Sequence, residues 1–227
     1  MSLIPRSARP CSPLQLTASE VETLGAGGVV VRDDLLPRDT ALACADAAAH
    51  LDAIGRLSPA HIGRERSHRP DLRGDRHAWF EQLDLPPALQ SLWAAFDDLR
   101  ITLNRDAWLG LQRFALQLAC YPGAGTRYVP HVDALAGDPG RRVTAIVYLN
   151  PAWTPSDGGA LRVECPDGER TINPELGRLV LFLSEWVRHE VLPTHAVRFA
   201  ATAWFRGAEA IPFLPDPPAA RRGGNPW

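Results

Sequence analysis

Leu111-Gln112-Arg113-Phe114-Ala115-Leu116-Gln117-Leu118-Ala119-Cys120-Tyr121, ended by Pro122-Gly123, opens a stretch of chain unlike what precedes it. It reads as a β-type run, and Val143 to Leu149, Ala160 to Glu164, Arg178 to Ser184 and Val197 to Arg206 are similar. Turn chemistry separates them: Gly137-Asp138-Pro139-Gly140, Asp157-Gly158-Gly159 and Asp167-Gly168. Many short strands at close spacing predict a sandwich or barrel. Upstream, a helix opens at Thr17 or Ser19, and Gly25 to Gly28 ends it. Val29-Val30-Val31 reads as a short strand. Asp39 is a candidate cap for the Ala-rich helical segment Thr40 to Ile54, and a further helix spans Pro87 to Leu103. Helices first and strands later give an α+β domain with helices on one face of a sheet. Residues 1–16 are expected to be loose. Residues 17–210 form one domain, and the Pro- and Gly-rich residues 211–227 form a tail.

A length of 227 residues suits one well-buried core. A 45% hydrophobic and 22% charged composition excludes wholesale disorder. A net charge of -2 gives no electrostatic case for nucleic acid or an acidic membrane. No stretch approaches the ~20 apolar residues of a membrane span. All 24 basic residues are Arg, which excludes lysine-dependent chemistry such as a Schiff base. Cys11, Cys44, Cys120 and Cys165 have no zinc spacing. With no signal peptide visible, they are expected to be reduced thiols in a cytoplasmic protein. No dimerisation motif is visible, so a monomer is expected.

The sharpest local feature is His131-Val132-Asp133. On an extended segment residues i and i+2 point the same way, so an imidazole and a carboxylate converge on one ion. His189, at the start of a strand-like run, is the candidate third ligand. Two His and one carboxylate on one face of a metal leave the other positions open, as in non-haem Fe(II) oxygenases. Arg198 follows nine residues after His189. Nine extended residues span ~30 Å, so the chain must reverse between them, and Leu192-Pro193-Thr194 is the candidate place. Arg198 begins a strand whose alternate residues are Ala200, Thr202 and Trp204. Facing inward, it offers a planar fork to a carboxylate, to which Tyr148 can add a hydroxyl.

The run Tyr121 to Asp133, followed by Arg142 to Asn150, Gly158-Gly159-Ala160-Leu161-Arg162, His189-Glu190-Val191, Arg198 and the upstream Asp71-Leu72-Arg73-Gly74-Asp75, resembles the prolyl hydroxylases. The likeness is nearest to the hypoxia-inducible-factor prolyl hydroxylases and their bacterial relatives, over roughly residues 28 to 206. The resemblance implies a double-stranded β-helix (jelly roll) with N-terminal supporting helices. It implies Fe(II), 2-oxoglutarate and O2, with ascorbate as a further factor. His131, Asp133 and His189 would hold iron. Arg198 and Tyr148 would take the distal carboxylate of 2-oxoglutarate, Tyr121 would line the same pocket, and Thr202 and Trp204 would complete its wall. Asp75, Arg141, Arg73 and Tyr128 would serve the substrate entrance, with Asp75 and Arg141 at positions that pair in the family. The implied reaction is hydroxylation of a proline in a protein loop, with translation elongation factor Tu as the candidate partner in bacteria.

The Arg-bearing segment Gly55 to Asp75 is long for a loop in a compact domain, which favours a functional role over a solvated excursion. His195 is near the triad but matches no ligand position. His50, His61, His68 and His77 read as non-ligands, Cys120 as a packed thiol, and the seven Trp as mostly core. Ile146, Leu161 and Val191 are expected to keep the site dry. A hydroxylase of a free amino acid or small molecule, and a non-enzymatic 2-oxoglutarate-sensing module, are the alternatives.

Overall fold

The computed structural model describes residues 14–61, 69–134 and 140–207. The N-terminal residues 1–13, the tail, and Arg64, Arg66 and His68 of the long loop lie outside them. The first helix, α1 (Ala18–Gly25), is capped as expected: the Thr17 hydroxyl accepts from the Glu20 N–H, and the Glu20 carboxylate accepts from the Thr17 N–H. Strand β1 (Val30–Arg32) follows, then α2 (Arg38–Ala53). Its N-cap is Pro37, and Asp39 lies inside the first turn. That corrects the expected Asp39 cap; the acidic side chain there favours the positive helix end instead. In α3 (Pro87–Ala107) the buried Leu89, Leu92, Phe96, Leu99 and Leu103 recur at alternating steps of three and four. That spacing lays one apolar stripe along the helix. Pro87 fits the first turn, where no N–H is needed.

Helices and strands interleave more than the sequence suggested. Strands β2 (Ser58–Pro59) and β3 (Arg76–Phe80) lie between α2 and α3. Then come β4 (Leu111–Tyr121), β5 (Thr126–His131), β6 (Arg141–Tyr148), β7 (Leu161–Cys165), β8 (Gly168–Ile172), β9 (Leu179–Leu183), β10 (His189–Thr194) and β11 (Arg198–Gly207). A seven-stranded sheet has the order β1-β9-β6-β11-β4-β3-β2, and a four-stranded sheet the order β5-β10-β7-β8. Every paired register is antiparallel. The two sheets form the expected double-stranded β-helix, with the helices outside the larger one.

Alternation along the central strands builds two cores. Leu116, Leu118 and Cys120 of β4, with Phe199, Ala201, Ala203 and Phe205 of β11, pack toward α2 and α3. Ala119, Tyr121, Ile146, Tyr148, Phe182 and Ala200 face the smaller sheet, where Leu161, Val163 and Val191 meet them. Both faces are buried, so these strands read as nearly continuous apolar runs.

Two further expectations are corrected. The reversal between His189 and Arg198 is not at Leu192-Pro193-Thr194, because β10 runs through Thr194 and the chain turns after it. A register shift between Val191 and Thr194 absorbs Pro193, which cannot donate to the ladder. Nor are the tryptophans mostly core. Trp108 is 87% exposed at the left-handed C-cap of α3, Trp79 is half-exposed, and of the described ones only Trp204 is buried. Among the described residues no helix is long and apolar enough to cross a membrane.

Candidate active site

The site lies between the two sheets. His131 ends β5 and His189 begins β10, and they are directly opposite in the antiparallel register. Cross-strand partners share a face, and the imidazole centroids are 4.3 Å apart. Asp133, two residues past His131, is held by its N–H, which donates to the Ser184 carbonyl (3.2 Å). Its Oδ1 is 3.7 Å from His131 Nε2 and its Oδ2 is 3.8 Å from His189 Nε2. The three ligand atoms lie within 4.8 Å of one another, close enough to share one ion.

Both imidazoles are fixed in the same way. His131 Nδ1 is 2.8 Å from the Val129 carbonyl and His189 Nδ1 is 3.1 Å from the Val187 carbonyl. A carbonyl only accepts, so each Nδ1 carries the proton. With Nδ1 engaged in this way, Nε2 of each ring is the nitrogen turned toward Asp133 and available to a metal. Burial pushes the His189 imidazole down to about 4, so it is neutral near pH 7. Burial alone would raise the Asp133 carboxyl, but the charge of His189 when that ring is protonated, with side-chain hydrogen bonds at the site, brings it below the usual carboxylate range. Two imidazoles beside a buried carboxylate are the donor set of the facial triad.

Arg198 lies opposite Tyr121 in the β4–β11 register, and Ala200, one pleat on, lies opposite Tyr148 in β6. The guanidinium is therefore flanked by two phenol rings, 5.0 Å from the Tyr121 centroid and 4.9 Å from that of Tyr148. Its Nε donates to the Gly159 carbonyl (2.7 Å). Gly159 has φ +71, and a Cβ there would sit 2.8 Å from Arg198 Cδ. Only glycine admits that backbone conformation and that close approach. Arg198 is 3% exposed, and no carboxylate of the described residues pairs with it. Apart from the neighbouring Arg198, the buried Tyr148 hydroxyl has no hydrogen-bond partner among the described residues. A buried cation without a counter-charge and a buried phenol short of partners are costly. A ligand carboxylate seated between them would satisfy both, so these residues fit 2-oxoglutarate.

A cavity of about 480 Å³ joins the two halves of the site. Thr202 and Trp204 line it with Arg198 and Ala200, as the strand alternation predicted. Ile146, Leu161 and Val191 also line it, as expected of residues that keep water out. At its mouth Tyr128 stacks on His131 with centroids 3.7 Å apart, and Arg73 lies 4.7 Å from the Tyr128 centroid. Arg141 lies 4.7 Å from the Trp204 ring and donates to the Asp133 carbonyl (2.7 Å).

The expected Asp75–Arg141 pair is replaced by another. Arg73 makes a two-pronged bond to the buried Asp75, at 2.7 and 3.0 Å, and reaches Gln117 Oε1 at 3.3 Å. Arg73 is two residues from Asp75 on an extended segment, so its fork reaches the carboxylate directly. His195 takes no part in the triad; its N–H donates to the Asp157 carbonyl. Cys120 is packed, and burial pushes its thiol up to about 12. Four contributors escaped the sequence reading: Thr144, Ser184, Gln117 and Gly159's carbonyl. Thr144 alone left a signal, since it stands in step with Ile146 and Tyr148 on an otherwise apolar face.

The 2OG-Fe(II) oxygenase superfamily matches over residues 116–206. Egl nine homolog 1 of Rattus norvegicus is 35% identical over 202 residues, covering 83% of this chain. The chain spans 58% of that relative's length. A crystal structure of a Pseudomonas putida prolyl-4-hydroxylase superposes with a TM-score of 0.75 at 38% identity, covering 83% of this chain and 98% of the other. A Trichoplax adhaerens prolyl hydroxylase, in complex with a hypoxia-inducible-factor oxygen degradation domain peptide fragment, gives a TM-score of 0.76 at 29% identity, covering 82% and 86%. This chain belongs to the 2OG-Fe(II) oxygenase superfamily and, within it, to the prolyl hydroxylases.

Proposed function

We propose that this chain is an Fe(II)- and 2-oxoglutarate-dependent dioxygenase that hydroxylates a prolyl residue in a protein. The observation that carries the reading is the buried Arg198 fork, beside Tyr148 and without a carboxylate among the described residues, in one cavity with the His131, Asp133 and His189 donor set. When bound, Fe(II) with 2-oxoglutarate and O2 supplies the oxidation, yielding succinate, CO2 and a hydroxyl on a substrate carbon. The chain supplies the rest. His131, Asp133 and His189 hold the metal. Arg198 and Tyr148 hold the distal carboxylate, and Tyr121 sets the Arg198 plane. Thr202 and Trp204 close the wall, and Ile146, Leu161 and Val191 exclude water. Asp75, Arg73, Arg141 and Tyr128 shape the mouth where a peptide would enter. The peptide bound to the Trichoplax relative supports a protein substrate. Elongation factor Tu is the first candidate.

The reading places a monomer in the cytoplasm, with ascorbate as a reductant. Cys44 and Cys120 are buried thiols, in keeping with a reducing compartment. The test is mass spectrometry of proteins from cells carrying the intact chain against cells carrying His131→Ala. A single-oxygen mass gain on one proline, lost in the variant, is the expected result and names the partner. No difference, while the purified protein still converts 2-oxoglutarate to succinate, would overturn the protein substrate in favour of a small molecule.

A further inference from the structure

Two buried hydroxyls sit behind the candidate metal site. Thr144, on β6, and Ser184, just after β9, are both fully buried. Thr144 lies between Trp204 and Phe182 in the sheet register and shares its face with Ile146 and Tyr148. Burying a hydroxyl in such surroundings is unfavourable unless it is bonded.

These two are bonded in a chain with a fixed direction. Thr144 Oγ1 is 2.8 Å from Asp133 Oδ2 and 2.9 Å from Ser184 Oγ. An ionised carboxylate only accepts, so Thr144 donates its proton to Asp133. Its lone pairs are then free to accept the Ser184 proton. Ser184 also accepts, through its carbonyl, the backbone N–H groups of Asp133 (3.2 Å) and Ala134 (3.3 Å). One residue thus holds Asp133 by its backbone and, through Thr144, by its side chain. Oδ2 is engaged from behind. Oδ1 faces His131 Nε2 across 3.7 Å and carries no such hydroxyl bond, whereas Oδ2 bonds Thr144 and faces His189 Nε2 across 3.8 Å.

We propose that Thr144, backed by Ser184, is a positioning residue of the metal centre: it ties down Asp133 Oδ2 so that Oδ1 alone serves as the ligand oxygen. A carboxylate free to turn can offer both oxygens to one ion. The hydroxyl chain opposes this and so keeps a metal position open for exogenous ligands. This rests on the proposed Fe(II) site, and the experiment separates the two.

Fe(II) is titrated anaerobically, with 2-oxoglutarate present, into the intact chain, Thr144→Val, Thr144→Ser and Ser184→Ala. Affinity and the visible absorption of the resulting complex are read, and circular dichroism checks the fold. Threonine to valine keeps the shape and removes the hydroxyl. We expect Thr144→Val to bind Fe(II) about 10–100-fold more weakly, the usual cost of losing a partner behind a ligand. Its absorption band should shift. Thr144→Ser should restore both, and Ser184→Ala should show a smaller change in the same direction. A folded Thr144→Val with unchanged affinity and band overturns the proposal, as does a Thr144→Ser that behaves like valine. If Thr144→Val does not fold, an unchanged Ser184→Ala overturns it. An intact chain that binds no Fe(II) overturns the metal site itself, and the proposal with it.

Discussion

The two faces of β11 are buried alike and do different work. Phe199, Ala201, Ala203 and Phe205 lie against the helices, and every atom they present is apolar. Arg198, Thr202 and Trp204 lie one residue out of phase, line the cavity, and carry a guanidinium, a hydroxyl and an indole N–H. The first face is tuned for packing density, where loss of volume costs stability. The second is left with a group short of a partner: among the described residues the Arg198 fork has no carboxylate. Equal burial therefore does not mean equal purpose. An apolar face is complete without a ligand, and the polar one is not.

This contrast can be broken or sharpened by substitution. The largest effect should come from His131→Ala, which leaves two ligands for the metal. Turnover of 2-oxoglutarate to succinate should fall below detection while circular dichroism is unchanged; substantial residual turnover would refute the triad. Next is Arg198→Ala. Losing a buried charged partner costs about 2–5 kcal/mol or more, or roughly 30-fold to several thousand-fold in 2-oxoglutarate affinity. Near-normal affinity in calorimetric titration would remove Arg198 from the cosubstrate site. On the opposite face, Phe205→Ala should cost ~3–5 kcal/mol of stability in chemical denaturation. Its cosubstrate affinity, measured where the variant is folded, should be unchanged. A loss of affinity like that of the Arg198 variant would erase the distinction between the faces. The smallest effect is expected from Trp79→Ala. Trp79 is half-exposed at the cavity mouth, 5.2 Å from the Trp204 ring centroid. Hydroxylation of the protein substrate should fall by up to about tenfold, the size of a stacking contact. Uncoupled 2-oxoglutarate turnover should stay level; an equal loss in both assays would place Trp79 in the cosubstrate site instead.

The sequence carried much of the site because its parts obey local periodicity. His131 and Asp133 converge because they are two apart near a strand end. Thr202 and Trp204 fall on the face of Arg198 because side chains alternate. The helix stripe of α3 was equally legible, as its steps of three and four repeat over the whole helix. Other features had no local trace. The i, i+2 spacing put Arg73 within reach of Asp75, but the contact of Arg73 with Tyr128 and Gln117 had no local signal, since it depends on where β5 and β4 bring the chain past residue 73. Pro193 suggested a turn, but a register shift in β10 absorbs it. The exposed Trp79 and Trp108 read as core because hydrophobicity alone cannot say which face of an element meets another.

By itself the sequence determined the ligand types, the strand-rich architecture and the alternation that sorts apolar from polar residues. These follow from covalent geometry, because neighbours along a strand point in fixed directions. Only the tertiary structure decided that His131 stands opposite His189, that Arg198 is gripped between Tyr121 and Tyr148, and that Thr144 and Ser184 stand behind Asp133. Those relations join residues far apart in the chain. They exist only once the register between strands is fixed, and that register is set by burying both cores at once.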